Sequence, residues 1–431
     1  MSESLDFYQQ IAVSQVSNVP WLAHLQENAI AEFSKLGFPT RHCEDWKYTA
    51  VDSFLQRSFS SEQGFSTKSA KSSHSLQPLS ALPVGVDHHV IAVNNGQVLI
   101  TDALKKSLPA GVVVLPMAEA IVLHADKIKP YLSLILQQQH GFQALNTAML
   151  HSGVFIYVPA GVAMTTLLLL THYQDNENQA TYIRHLVVAE EGSSLSLIED
   201  YQGEENTTYF TNTITEVSLA PRATLTHYKF QREGKLAYHV GHMAVKQAAG
   251  SQFASHSFSV GGKLVRSDIT IGLAEPLAQC FMNGVYAPAE GQHIDHHTVV
   301  THDAPNCRSE QDYKGILSGH SRAVFNGRVI VAKDAQHTEA KQQNKNLLLS
   351  KNSEIDTKPQ LEIFADDVVC THGATVGQLD EDALFYLATR GIGQADATRY
   401  LVQAFAVENL RSVANDELRN WIGTLINQQV G

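Results

Sequence analysis

At 431 residues the chain is long enough for two or three cooperative units, and at 44% hydrophobic and 17% charged it has the composition of a globular protein rather than a disordered one. Its net charge of -12, from 43 acids against 31 Lys and Arg, argues against nucleic acid as a main partner, because phosphate binding needs a basic surface. The four cysteines, Cys43, Cys280, Cys307 and Cys370, form no Cys-x-x-Cys pair, which argues against a self-contained zinc or iron–sulfur site and against a disulfide framework. The first residues lack the basic and apolar regions of a signal peptide, and the most apolar run (164–173) is far too short to span a bilayer. The expectation is a cytoplasmic protein, away from membranes, with reduced thiols.

The chain opens with a helical region, 1–62. Leu22, Leu25, Ala29, Phe33 and Leu36 recur at three- and four-residue steps, with Pro20 suited to the helix start and Gly37 to its stop. A Ser-rich linker follows at 63–85. The lead-in, 86–150, is mixed α/β, and its Asn95-Gly96 pair between two β runs predicts a hairpin. Residues 151–377 read as short strands and turns. Within them "LVRSDITIGL" (264–273) places Val265, Ser267, Ile269 and Ile271 on one face and Arg266, Asp268 and Thr270 on the other. So long a stretch of strands without helices leaves a sandwich, a barrel or a solenoid; length favours the solenoid, although no clean repeat period stands out. The last region, 378–431, returns to helix. Asp380 and Asn415 are expected caps, and Leu418, Trp421, Ile422, Leu425 and Ile426 form one apolar face. That face is buried either on the protein's own β core or on a partner.

Chemistry is sparse. The nearest approach to a Walker A motif, around Gly261–Leu264, has Ser257 where the first glycine belongs and Leu264 where Ser or Thr belongs, so ATP hydrolysis is not expected of this chain. In "HIDHHTVVTHD", His293, Asp295 and His297 share one strand face and His296 and His302 the other. A metal-holding face and a solvated outer face both fit that pattern, the second better. Cys370 and His372 point to one side of a strand, their Cβ atoms roughly 7 Å apart. They share a face but do not complete a metal site. A stand-alone β-helix enzyme acting on carbohydrate is a further alternative, though no convincing carboxylate pair stands out.

The runs 315–350, beginning "GILSGHSRAVFNG", and 368–392, "VVCTHGATVGQLDEDALFYLATRGI", resemble the SufB/SufD family of iron–sulfur cluster assembly scaffolds, over most of residues 150–410. "PTRHCEDWKYT" (39–49) is similar to the N-terminal signature of the SufD branch. SufB carries a Cys where this chain has Asn344, Glu-His-Glu where it has Cys370-Thr371-His372, and another Cys at Leu387, so the pattern left is that of SufD. The resemblance implies a right-handed parallel β-helix between N- and C-terminal helical regions. It also implies a scaffold role without catalysis, in which a transient iron–sulfur cluster is held at the interface with SufB by His372 and Cys370. Pairing with SufB runs through the β-helix end; whether the chain alone forms a homodimer stays open at this point. A SufC ATPase docks on the C-terminal helices, through Tyr400, Leu401, Phe405, Leu418, Trp421 and Ile422. Whether reduced flavin is a further cofactor of the complex stays open at this point, as does a separate metal site at His293, Asp295 and His297.

Overall fold

The computed structural model describes residues 2–61, 82–83 and 85–430; the expected Ser-rich linker lies almost wholly outside the described residues. Strands alternate between two sheets. Leu167–Gln174, Ser194–Gly203, Thr224–Gln231, Gln252–Ser259, Gln279–Tyr286, Arg308–Leu317, Thr338–Leu348 and Val368–Gln378 stack in one. Val154–Val158, Ala180–Ala189, Phe210–Leu219, Tyr238–Gln247, Leu264–Leu273, His293–His302, Arg322–Val331 and Glu354–Ile363 stack in the other. All these neighbours pair parallel, which makes a β-solenoid of about eight turns. Positions Ala180, Phe210, Tyr238, Leu264, His293, Arg322 and Glu354 lie in one aligned column, so a turn takes 26 to 32 residues. That variation hides the repeat from a search for a fixed period.

The lead-in contributes to the solenoid. His88–Asn94 pairs parallel with Leu167–Gln174 and extends the same sheet, and its hairpin turns at Asn95 (φ 48°) and Gly96 (φ 81°), the left-handed pair a tight hairpin needs. Inward positions alternate with outward ones. Ile269, Ile271 and Leu273 fill the interior with Val245, Val217 and Phe325. Both outer faces are apolar in part, and each is covered by helices.

The N-terminal layer covers one sheet. Helices Pro20–Leu36 and Gly141–Ala148, with the segment 38–55, bring Phe33, Phe142, Phe38, Trp46 and Phe54 into one cluster with Phe210, Tyr238 and Leu264. The C-terminal helices Gln394–Leu410 and Asp416–Val430 cover the other. Val402, Ala406, Leu410, Leu418, Ile422 and Ile426 pack on Tyr228, Phe230, Phe258, Val285 and Ile316, and the Trp421 ring meets Phe230 edge-on at 5.0 Å. This corrects part of the partner assignment. Leu418 (1% exposed) and Ile422 (0%) are spent on the chain's own sheet, and a side chain sealed there has no surface to offer another protein. The caps at Asp380 and Asn415 form as expected, the Asn415 side chain accepting the Leu418 N–H at 2.9 Å. Among the described residues no helix is long and apolar enough to cross a membrane.

Removing the C-terminal helices would therefore bare an apolar sheet face rather than leave an intact β core. Ile422→Ala should cost about 2–5 kcal/mol, the usual range for a buried aliphatic side chain. It should also make 394–430 the first segment cut by protease. Urea unfolding and timed proteolysis check this; an unchanged midpoint with unchanged cleavage would show that these helices do not depend on the sheet.

Candidate functional site

The last strand of the solenoid, Val368–Gln378, pairs on one side only, with Thr338–Leu348, through Ala340↔Cys370 and Gln342↔His372. Ala340 and Gln342 are buried inward positions, so Cys370 and His372 continue two interior columns onto the open end of the coil. His372 is exposed because no further turn covers it; Cys370 is half-buried beside Val329, Val331 and Ala365. Burial pushes the Cys370 thiol above its ordinary value, so it resists giving up its proton. The register neighbours Ala340, Gln342 and Asn344 add no thiolate, imidazole or carboxylate. Nothing stands within 4 Å of a Cβ built on Gly373, so that glycine is not there for a close backbone approach. The other cysteines are elsewhere: Cys280 and Cys307 are buried and Cys43 is exposed in the N-terminal layer.

The histidine-rich strand is not a solvated face. His293, Asp295 and His297 do share one side, but that side is roofed by the segment 43–49. Thr49 Oγ1 donates to Asp295 Oδ2 and lies 2.9 Å from His293 Nε2. Arg266 Nη1 donates to Asp295 Oδ2 and to the Asp45 carbonyl, each at 2.7 Å, and lies 2.9 Å from His297 Nε2, while its guanidinium sits 4.4 Å over the Trp46 ring. Asp295 Oδ2 and one ring nitrogen each of His293 and His297 are thus held by the chain's own groups, so this side is a roofed polar network and not an open face. His296 and His302 point inward and bond Ser259 and Ser309.

Beside this network lies a cavity of about 180 Å³ between the N-terminal layer and the sheet. His140, His242 and Asp268 line it, one ligand-capable atom of each within 4.8 Å of the others. His242 and Asp268 are direct register partners on adjacent strands. His140 opens the helix Gly141–Ala148 and is held over them by the segment before it. There the buried Glu216 carboxylate, itself paired with Arg184, accepts the N–H groups of Ser133, Ile135 and Leu136. Burial pushes the His140 ring down to about 3 and the His242 ring to about 4. Burial works to raise the Asp268 carboxyl, but Arg266 and the imidazoles around it prevail and hold it at about 2. At neutral pH the three are thus two neutral imidazoles and a carboxylate. Sequence reading placed Arg266 and Asp268 on one face of their strand but missed this group, because its members are 26 and 102 residues apart and meet only through solenoid register and the N-terminal layer.

The partner residues on the C-terminal helices fall into two sets. Tyr400 is 52% exposed, and Leu401 and Phe405 are half-buried; Leu418, Trp421 and Ile422 face the sheet. Phe385 and Tyr386 on Glu381–Thr389, a helix with no buried residue, are also exposed.

The chain is a parallel β-solenoid that ends in a strand with one edge unpaired, carrying a thiol and an imidazole on its inward side. Residues 172–405 match the SufBD core domain of the SUF system for FeS cluster assembly, and residues 3–170 match the SufBD protein N-terminal region. The iron-sulfur cluster assembly protein SufD of Escherichia coli (strain K12) is 31% identical over 94% of this chain and 92% of its own length. The iron-sulfur cluster assembly SufBD family protein slr0076 of Synechocystis is 27% identical over 91% of this chain and 87% of its own length. The chain belongs to the SufBD family.

The buried imidazoles set an acid limit on stability. His140, His242 and His293 stay neutral when folded down to about pH 3–4, whereas unfolded they take a proton near 6.5. The unfolded chain therefore binds more protons between pH 6.5 and 4, and stability falls as pH drops through that window. Asp268 adds a further loss below its ordinary 3.8. Urea unfolding at pH 7.5, 6 and 5 should show a steady decline, made shallower by His242→Gln; equal free energies at pH 7.5 and 5 would contradict it.

Proposed function

We propose that the chain is a SufD-type subunit that joins a SufB-like protein and a SufC-like ATPase, and that nascent iron–sulfur clusters form at its junction with the SufB-like protein as cargo for apo-proteins. The observation that carries this reading is the open end of the solenoid. There an eleven-residue strand, Val368–Gln378, has one edge unpaired, and Val376, at an inward position, is 50% exposed. An unpaired edge of that length is a template for another strand, and natural proteins either blunt it or pair it. A SufB-like solenoid end added here buries the edge and brings the ligands that Cys370 and His372 lack. A second copy of the chain covers the same edge when no partner is present.

The chemistry agrees with the placement. Nascent clusters need soft thiolate and borderline imidazole ligands that bind and then let go. An imidazole such as that of His372 offers a nitrogen lone pair as a ligand, whereas the Cys370 thiol must deprotonate against its burial. A site divided between two chains opens when the chains move apart, and ATP hydrolysis on the SufC-like subunit supplies the free energy for that motion. The subunit itself has no chemical step to perform.

In the co-purified three-protein complex, His372→Ala should abolish most bound iron and sulfide with subunit pairing intact, and Cys370→Ser should have the smaller effect. Iron and sulfide analysis of the three complexes tests this; normal loading with His372→Ala would remove that imidazole from the site.

The ATPase contact falls to the exposed aromatic groups of the C-terminal helices. Tyr400→Ala combined with Phe385→Ala should weaken capture of the SufC-like subunit at least about tenfold, as loss of aromatic anchors does, with the melting temperature unchanged. Undiminished capture would place that docking surface elsewhere.

A further inference from the structure

We infer that His140, His242 and Asp268 form a mononuclear site for a borderline divalent cation such as Fe2+ or Zn2+, opening into the cavity under the N-terminal layer. This inference goes beyond the cluster-assembly reading and does not depend on it: the site lies on the outer face of the other sheet, away from Cys370 and His372.

Two imidazoles and one carboxylate on one side of an ion, with open positions on the other, are the donor set that holds Fe2+ in mononuclear sites and also suits Zn2+. Register supplies two of the donors. His242 and Asp268 pair across adjacent parallel strands, about 4.8 Å apart by strand spacing, and both side chains point outward. His140 supplies the third from above, its Nε2 3.9 Å from Asp268 Oδ2. A bound ion about 2.1 Å from each donor draws them to about 3 Å apart, a side-chain movement on the order of 1 Å. The cavity gives that movement room and gives water access to the remaining positions.

The surrounding groups orient these donors as metal ligands are usually oriented. The Gln143 carbonyl accepts the N–H groups of Gln139 and His140, so its amide nitrogen faces His242 Nδ1 at 2.7 Å. His242 Nδ1 is therefore an acceptor, and its Nε2–H faces Thr270 Oγ1 at 3.0 Å. That tautomer leaves the Nδ1 lone pair for a metal, which has only a neutral amide to displace. Arg266 fixes the Asp268 carboxylate through Nε and Nη2 at 2.8–3.1 Å. The arginine charge does not make the site cationic, since Asp268 and Asp295 both pair with it and the local sum is one negative charge.

The full chain, purified without a histidine tag and stripped with chelator, is titrated with Co2+ by equilibrium dialysis while its ligand-field absorption is read. One equivalent is expected, displaced by Zn2+ and, without oxygen, by Fe2+. His140→Asn keeps a side chain able to cap the helix, and His242→Gln keeps a polar group on the sheet; each should weaken Co2+ binding by at least about tenfold. His372→Ala should bind as the natural chain does. Circular dichroism confirms that each variant is folded. Absence of stoichiometric Co2+, wild-type affinity in both His140→Asn and His242→Gln, failure of Zn2+ and Fe2+ to displace it, or its loss in His372→Ala would each overturn the inference.

Discussion

Parallel, in-register pairing of each solenoid strand, from Val154–Val158 onward, with the strand two places along the chain is the constraint on which the rest of this protein depends. It satisfies the backbone within the coil, fixes which side chains point inward and repeats that choice at every turn. It also leaves two outer sheet faces to cover and an end that cannot pair with itself. The covers are the N-terminal and C-terminal helices. The end is Val368–Gln378, where Cys370 and His372 sit because the coil stops there. The placement of this thiol and imidazole and the physics of an unsatisfied edge thus have one origin, the end of the coil.

The interior is not uniformly apolar, and this explains much of the histidine content. Glu199 accepts from Tyr201 Oη and Thr215 Oγ1 and lies 3.5 Å from His227 Nε2. Lys229 Nζ reaches His239 Nε2 at 3.2 Å, and His239 Nδ1 lies 2.8 Å from Glu233. Burial drives down the Lys229 ammonium. Charges inside a protein persist only where partners surround them, and here each is met by groups from neighbouring turns. Such a network also works against register slippage, since a one-residue slip would turn every member outward.

Much of this was legible beforehand. The alternation in 264–273, the Asn95-Gly96 hairpin, the helix caps and the strand-only middle follow from local chemistry that each short segment carries by itself. The repeat was not legible, because turn lengths vary from 26 to 32 residues while register stays constant. The amphipathic stripe of 415–430 announced burial without naming its partner surface, and the answer, Phe230 and its neighbours, lies nearly 200 residues away. The outward His293–Asp295–His297 face read as solvated because nothing local reveals that Thr49, Asp45 and Trp46 fold over it. Cys370 and His372 stood out through family resemblance; spacing alone gave only a shared face.

On the function proposed above, the free edge at Val368–Gln378 is the junction at which the cluster site is completed. Hydrogen–deuterium exchange of the chain alone and in complex with its SufB-like partner tests it most directly. Strong new protection of the backbone amides of 368–378 is expected, the largest change anywhere in the chain. Protection confined to other segments, with 368–378 exchanging as fast in the complex as alone, would contradict it.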